Sequence, residues 1–538
     1  MFHPYNKKVV AFASMRMSLC LFLLLLSHFI YLPALAQHCR PTKQSDLDIV
    51  NYLQTEFDVK FTDNNRVIIF KTGKEKFADL LPALRAAKQS IHLEYFNFRN
   101  DSISKELFAI LVQKAAEGVK VRALFDGFGN SSNNRPLRAR HLDSLRARGV
   151  EIYEFDPLRF PWVNHVLHRD HRKIVVIDGV VAYTGGMNVA DYYITGKPEF
   201  GEWRDIHTRV EGEAVAELQK VFINFWNQVT HQEVQGPNYY PGERDARDTF
   251  GMLKQDTTPT AGQKIVGVVN RDPITSPRII HDTFVHAIEH AEHQVLIINP
   301  YFTLCRHIKR ALKRAARRGV DVQVMVSAKS DIPITPRVVE YNAHRLMKEG
   351  VKIYFFTGGF HHSKIMMVDS LYSFVGSANL NSRSLSFDYE CNLLVADRYT
   401  TGQLQQIFYN DRDHRCFLLT PEIWKYWGTW KKAKCWIFHF LTPFVKCDKK
   451  EGDNSGLGEF VLQMPNDKDK KVYDTHQDDN RQYSKATRRG RSTSYDAVRG
   501  RTGSDRATIR CANVVDGRRK NQSRCFFFCR CVYDCCGQ

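Results

Sequence analysis

Two short stretches of this chain carry side chains able to handle a phosphoryl group, and they carry them at the same spacing. The first holds His171, Lys173 and Asp178; the second holds His362, Lys364 and Asp369. In each, a His-x-Lys is followed by four apolar residues and then the aspartate. Each then runs into a turn of small residues that ends in asparagine, Gly185-Gly186-Met187-Asn188 and Gly376-Ser377-Ala378-Asn379. An imidazole titrates near neutral pH, so it can attack an electrophile or carry a proton under ordinary conditions. A lysine is a compact cation suited to a phosphate oxygen. Glycines allow backbone N–H groups to come close to an anion, and Asn188 and Asn379 can donate further hydrogen bonds there. One His-x-Lys alone is ordinary on a surface strand. Two copies with the same aspartate offset and the same downstream turn are not.

The elements that position these residues repeat as well. Lys173-Ile-Val-Val-Ile-Asp178 has the apolar run of a buried strand, and side chains two apart on a strand share a face, so His171 and Lys173 point into one site. Upstream, a helical stretch from Ala83 runs into the apolar strand Ile91-His-Leu-Glu-Tyr-Phe96, and the same layout returns from Ala287 to Phe302. Gly118-Val-Lys-Val-Arg-Ala-Leu-Phe-Asp126 is echoed by Gly319-Val-Asp-Val-Gln-Val-Met-Val-Ser327, and Gly149-Val-Glu-Ile-Tyr by Gly350-Val-Lys-Ile-Tyr. The chain is an internal duplication. Strands alternating with helices predict two α/β halves, each with a largely parallel sheet.

Residues 37–232 form the first half and 263–448 the second. Residues 233–262, with Pro237, Pro241, Gly242, Pro259 and Gly262, read as a linker. From 449 to 538 polar and charged residues dominate, and the basic tail reads as disordered. Its cysteines, from Cys525 to Cys536, have no histidine partner and no second pair at zinc-finger spacing. At the front, residues 1–36 place Lys7, Lys8 and Arg16 before the apolar run Leu19–Leu26, and end in Ala34-Leu35-Ala36. That is the pattern of a secretory signal peptide or, uncut, of a single signal anchor, with the body of the chain exported.

A formal charge of +19 over 538 residues suits an anionic partner, nucleic acid or acidic membrane. Export favours the membrane. Trp424, Trp427, Trp430 and Trp436, interleaved with Lys425, Lys431, Lys432 and Lys434, read equally as an interfacial membrane helix or as a terminal helix packed on its domain.

The duplicated motif resembles the HKD motif of the phospholipase D superfamily, across residues 78–445. The segments Ile91–Phe96, Asn164–His171, Trp203–Gly212 and Arg383–Asn392 resemble, more closely, those of bacterial cardiolipin synthases. Typical members carry two N-terminal membrane helices where this chain has one signal-like segment. The resemblance implies two similar α/β/α phospholipase D-like domains in one chain, pseudo-twofold, with a single active site between them and neither metal nor cofactor. It implies His171 as nucleophile and His362 as acid and base. Lys173, Lys364, Asn188 and Asn379 would hold the phosphate oxygens. Asp205 and Glu390, each downstream of the histidine in its own half, would orient an imidazole through its other nitrogen, as the acid of a serine-protease triad does. Asp178 and Asp369 complete the catalytic motifs, bracing more than reacting.

The implied reaction is phosphatidyl transfer between two phosphatidylglycerol molecules, through a phosphatidyl-histidine, giving cardiolipin and glycerol. Water as acceptor would make the same site a phospholipase D, and another alcohol a different transphosphatidylase. Nuclease members of the superfamily tend to be short with one motif, so length and duplication argue against that class; a non-enzymatic membrane-binding protein would leave the intact double motif unexplained. The implied partner is an anionic phospholipid membrane on the exported side, with no nucleic acid. A monomer supplies both halves of the site.

Overall fold

The computed structural model describes residues 47–159, 167–241, 251 and 253–441. The expected N-terminal signal or anchor, residues 1–36, and the tail 449–538 with its cysteines lie outside the described residues. The first half contains β1 (Phe61–Phe70), β2 (Ser90–Tyr95), β3 (Lys120–Asp126), β4 (Glu151–Phe155), β5 (Lys173–Ile177), β6 (Val181–Gly185), β7 (Glu202–Arg204) and β8 (His207–Glu211). The second contains β9 (Lys264–Arg271), β10 (Gln294–Ile298), β11 (Asp321–Ser327), β12 (Lys352–Phe356), β13 (Gly359–His361), β14 (Ile365–Val368), β15 (Tyr372–Gly376), β16 (Glu390–Ala396) and β17 (Cys416–Leu418).

One sheet of fifteen strands runs through both halves, in the order β17-β12-β11-β10-β14-β15-β16-β9-β1-β8-β6-β5-β2-β3-β4. Apart from the edge strand β17, that order reads the same from either side of the β9–β1 seam, which is what a pseudo-twofold duplication produces. The seam is antiparallel. Apolar side chains of both halves, among them Val67, Ile69, Val266, Leu296 and Phe408, meet in one buried cluster beneath it.

The expected largely parallel sheets are corrected by the hairpins that carry the motifs. Within this sheet only β2-β3-β4 and β10-β11-β12 are parallel; β7 and β13 form a separate parallel pair. The motif strands β5 and β14 run antiparallel to β2 and β10, then fold straight back into β6 and β15. A connection of three residues can join only antiparallel strands. It begins at Asp178 (φ 54°) in one half and at Asp369 (φ 52°) in the other, both in the left-handed region.

The segment between the halves holds one short 3₁₀ turn, Pro237–Tyr239, among its described residues, and is fastened to the first half. The Tyr239 hydroxyl accepts from Arg122 Nη1 at 3.1 Å, and Leu253 is buried in the first half's core. The Trp/Lys-rich segment forms two helices, Pro421–Tyr426 and Thr429–Leu441. One face packs on the helix Thr335–Met347: Trp424 stacks on His344, and Cys435 is buried with its thiol 3.3 Å from Glu340 Oε2. Tyr426, Trp430 and Trp436 are exposed on the remaining surface, so the segment combines a packed stripe with an outward aromatic one. Among the described residues no helix is long and apolar enough to cross a membrane.

Candidate active site

The two motifs meet where β5 and β14 begin, and each is docked on the opposite half by backbone bonds. Asp170 bridges Tyr389 in parallel, with Tyr389 N–H donating to Arg169 O (2.9 Å) and His171 N–H to Tyr389 O (3.0 Å). At the equivalent place β7 pairs in parallel with β13, and His362 N–H donates to Arg204 O (2.6 Å). The approach to His171 is further held by buried charge. Arg169 Nε lies 3.1 and 3.0 Å from the two oxygens of Asp126, which also accept from Asp170 N–H.

These cross-half ladders decide which acid serves which histidine. His171 Nδ1 lies 3.0 and 3.1 Å from the two oxygens of Glu390, which follows Tyr389 in the second half. His362 Nδ1 lies 2.8 Å from Asp205 Oδ2, which follows Arg204 in the first. The acid does not bond the histidine of its own half, as its downstream position suggests; the pairs cross. Both acids are fully buried, and Glu390 also accepts from Ser377 Oγ.

The lysines lie beside the same histidines. Lys173 Nζ donates to His171 O, and Lys364 Nζ sits 2.9 and 3.0 Å from the ring nitrogens of His362. Burial brings Lys173 down to about 7 and Lys364 to about 8. Burial also lowers His171, against the pull of Glu390, and lowers His362 further, helped by Lys364. The Lys364 charge reaches His171 and the Lys173 charge reaches His362, so both motifs face one space. Burial raises Asp205 to about 6, despite Lys364 nearby. Burial acts on Glu390 in the same direction, but His171, Lys173 and Ser377 together outweigh it and hold this carboxyl below its usual range.

Asn188 and Asn379 occupy matching positions. Nδ2 of each lies near a hydroxyl, Tyr193 at 3.5 Å and Ser384 at 3.4 Å, while Oδ1 of each is buried with no hydrogen-bond partner. The glycine turns before them work differently from the anion cradle expected. Gly186 N–H donates to Ile206 O and Ser377 N–H to Cys391 O, so these donors are already taken by the sheet. A Cβ on Gly186 would stand 2.2 Å from Asp205 Oδ1, so the glycine makes room for the acid that holds His362.

Asp178 and Asp369, expected to complete the motifs by bracing more than reacting, cap neighbouring strands. They sit at the far ends of β5 and β14 from the lysines, and each carboxylate accepts three backbone N–H bonds at the entrance to a neighbouring strand. For Asp178 the donors are Lys88, Gln89 and Ser90 (2.7–2.9 Å); for Asp369 they are Glu292, His293 and Gln294 (2.8 Å each). With those bonds made, neither is free to face a substrate.

Sequence reasoning missed an aromatic wall. The Phe96 ring lies 5.1 Å from His171, while Trp203, Tyr301 and Phe360 lie 5.6–5.7 Å from His362. The Tyr-Phe pair that ends the strand segment in both repeats, Tyr95-Phe96 and Tyr301-Phe302, was the available signal. The fully buried Lys76, which donates to Met187 O at 3.1 Å and so fixes the turn before Asn188, had none. Among the described residues, side chains close enough to share a metal ion are Asp48, His286 and His290, none of them a motif residue.

A duplicated α/β fold with two His-x-Lys motifs converging on one space defines a two-motif enzyme of the phospholipase D type. The chain matches the family described as cardiolipin synthase, phospholipase D-like domain, over residues 80–226 and 284–412. It is 36% identical over 358 residues to the cardiolipin synthase of Halalkalibacterium halodurans, covering 66% of this chain and 67% of that one. It is 31% identical over 408 residues to the cardiolipin synthase of Listeria monocytogenes serotype 4b, covering 75% and 80%. Among solved structures, the phosphatidylserine synthase of Haemophilus influenzae superposes with a TM-score of 0.53 at 13% identity, over 74% of this chain and 98% of that one, a likeness of fold. The chain belongs to the phospholipase D-like cardiolipin synthase family.

Proposed function

We propose that the protein joins two phosphatidylglycerol molecules into cardiolipin and glycerol, at the exported face of the cell membrane, with His171 as nucleophile. The observation that carries this reading is the crossed pair of histidine–acid bonds. In the proposed first step His171 Nε2 attacks the phosphorus, the bond from phosphorus to the glycerol oxygen breaks, and His362 gives that oxygen its proton. In the second, a hydroxyl of another phosphatidylglycerol loses its proton to His362 and attacks, and the phosphorus–nitrogen bond breaks. His171 returns neutral and His362 protonated, ready for the next cycle. Lys173, Lys364, Asn188 and Asn379 hold the non-bridging oxygens as charge shifts onto them. Glu390, held ionised, fixes the His171 proton on Nδ1 and leaves Nε2 its lone pair.

The test is to express the wild type and His362→Ala in cells lacking their own cardiolipin synthases and to weigh the membrane lipids by mass spectrometry. Cardiolipin restored by the wild type alone supports the reading. Phosphatidic acid in its place assigns water as the acceptor, and unchanged lipids overturn phosphatidyl transfer.

A further inference from the structure

We propose that the loops around the mouth of the active site are the surface by which this enzyme sits on an anionic phospholipid bilayer, with Leu167, Ile194, Ile274, Ile332 and Ile334 entering the lipid. The inference rests on the reading that the substrate is a membrane phospholipid, and adds how the site reaches it.

Scattered exposed aliphatic residues are ordinary on a protein surface. Here five of the seven exposed leucines and isoleucines among the described residues lie on the connections leaving one end of the sheet, the end that holds the motifs, Ile194 in the short helix Tyr192–Thr195 and the others on loops; the other two are Leu418 and Ile437. Leu167 lies four residues before His171. Ile194 follows Tyr192 and Tyr193, which pack on Trp203 beside His362. Ile274, 72% exposed, comes three residues after Arg271, whose Nη1 donates to Asp388 O just before Glu390. Ile332 and Ile334 flank Pro333 directly after Asp331, which accepts from the Tyr301 hydroxyl beside His362 at 2.7 Å. Each is thus tied through a short stretch of chain to a residue of the site.

The chain's formal charge of +19 fits an anionic bilayer. Among the described residues near these aliphatic side chains, Arg159 and Lys329 are exposed, as are Glu199 and Asp331, and Asp331 also accepts from the Tyr301 hydroxyl. Aliphatic side chains that enter the acyl boundary, with cations at headgroup depth, are how a protein rests on a bilayer without spanning it. A phospholipid presents its phosphate at that depth, so a mouth ringed in this way meets it without drawing the chains far into water.

The full chain and its Ile274→Ser/Ile332→Ser/Ile334→Ser variant are assayed on phosphatidylglycerol in two forms, as phosphatidylglycerol/phosphatidylethanolamine vesicles and as mixed micelles in non-ionic detergent. Vesicle binding is read by co-sedimentation. Both proteins carry the same N-terminal segment, so its contribution cancels. The expected result is about tenfold or greater weakening of vesicle binding and of the rate at limiting vesicle lipid, with the micelle rate unchanged. Vesicle binding and rate equal to wild type overturn the proposal. An equal loss in micelles overturns it too, because it moves the isoleucines from the docking surface into substrate turnover. If the wild type makes no cardiolipin in either form, the functional reading fails, and co-sedimentation alone still decides the surface.

Discussion

His171 and His362 occupy equivalent places in the two repeats, yet their surroundings differ. The His171 side chain is 16% exposed and faces a glutamate held ionised; the His362 side chain is 8% exposed and faces an aspartate raised by burial to about 6, with Lys364 against its ring. Among the described residues, the ring of Phe96 lies beside the first and three aromatic rings beside the second. Duplication supplied two similar imidazoles, and the pairs then diverged. A histidine backed by a permanent carboxylate keeps a reactive lone pair. One whose acid titrates near working pH is better placed to take and return a proton. That divergence supports unequal roles for the two histidines despite their symmetric frames.

The largest expected effects come from removing the imidazoles. His171→Ala and His362→Ala should each lower turnover on phosphatidylglycerol by at least about a thousandfold. They should separate on a phosphatidyl ester of p-nitrophenol, whose leaving group needs no proton. His362→Ala then still releases nitrophenol in a first burst, and His171→Ala releases none. Equal behaviour of the two would erase the distinction between the sites.

Removing the acids tests the crossed pairing. Glu390→Gln and Asp205→Asn should each cost on the order of a hundredfold or more in kcat by misorienting a ring. In a double-mutant cycle, Glu390→Gln should couple with a change at His171, across the halves, and Asp205→Asn with one at His362. Coupling within halves instead would break the account.

The profile of kcat/KM against pH should be bell-shaped. Asp205 must be ionised to hold His362, so activity falls as pH drops through about 6. Lys173 and Lys364 must be charged to hold the phosphate, and His362, lowered by burial, must be protonated to release the glycerol, so activity falls as pH rises, at the latest through the lysines' range of about 7 to 8. Asp205→Asn should remove the acid limb and leave the alkaline one.

The smallest effect on chemistry belongs to the motif aspartates. Asp178→Ala and Asp369→Ala should each cost about 2–4 kcal/mol of stability, from three lost charge-assisted bonds, and leave the activity per folded molecule near wild type. Thermal melting beside activity measures both.

Much of this was legible in the sequence, and the rest was hidden for identifiable reasons. The duplication, the motif strands and the halves follow from apolar runs and repeated spacing, both local. The antiparallel hairpins were missed because alternation of helix and strand says nothing of the direction in which β5 re-enters the sheet; the short turn at Asp178 does. The crossed acids were invisible because position along the chain shows Asp205 after His171, whereas pairing of β7 with β13 brings it to His362. The glycine turn was read as an anion cradle on composition, while Gly186 is required by its contact with the Asp205 side chain, further along the same half. Periodicity could not separate a membrane helix from a packed one over 423–441, since this segment has both a packed and an exposed aromatic face.

The central claim, that His171 takes the phosphatidyl group in a site built by both halves, is tested most directly by trapping the intermediate. His362→Ala is mixed with the p-nitrophenyl ester, quenched, digested and analysed by peptide mass spectrometry. The account predicts a phosphatidyl adduct on the peptide containing His171 and none when Glu390→Gln is added. An adduct on His362 in the His171→Ala enzyme, with His171 unmodified in its counterpart, would contradict it.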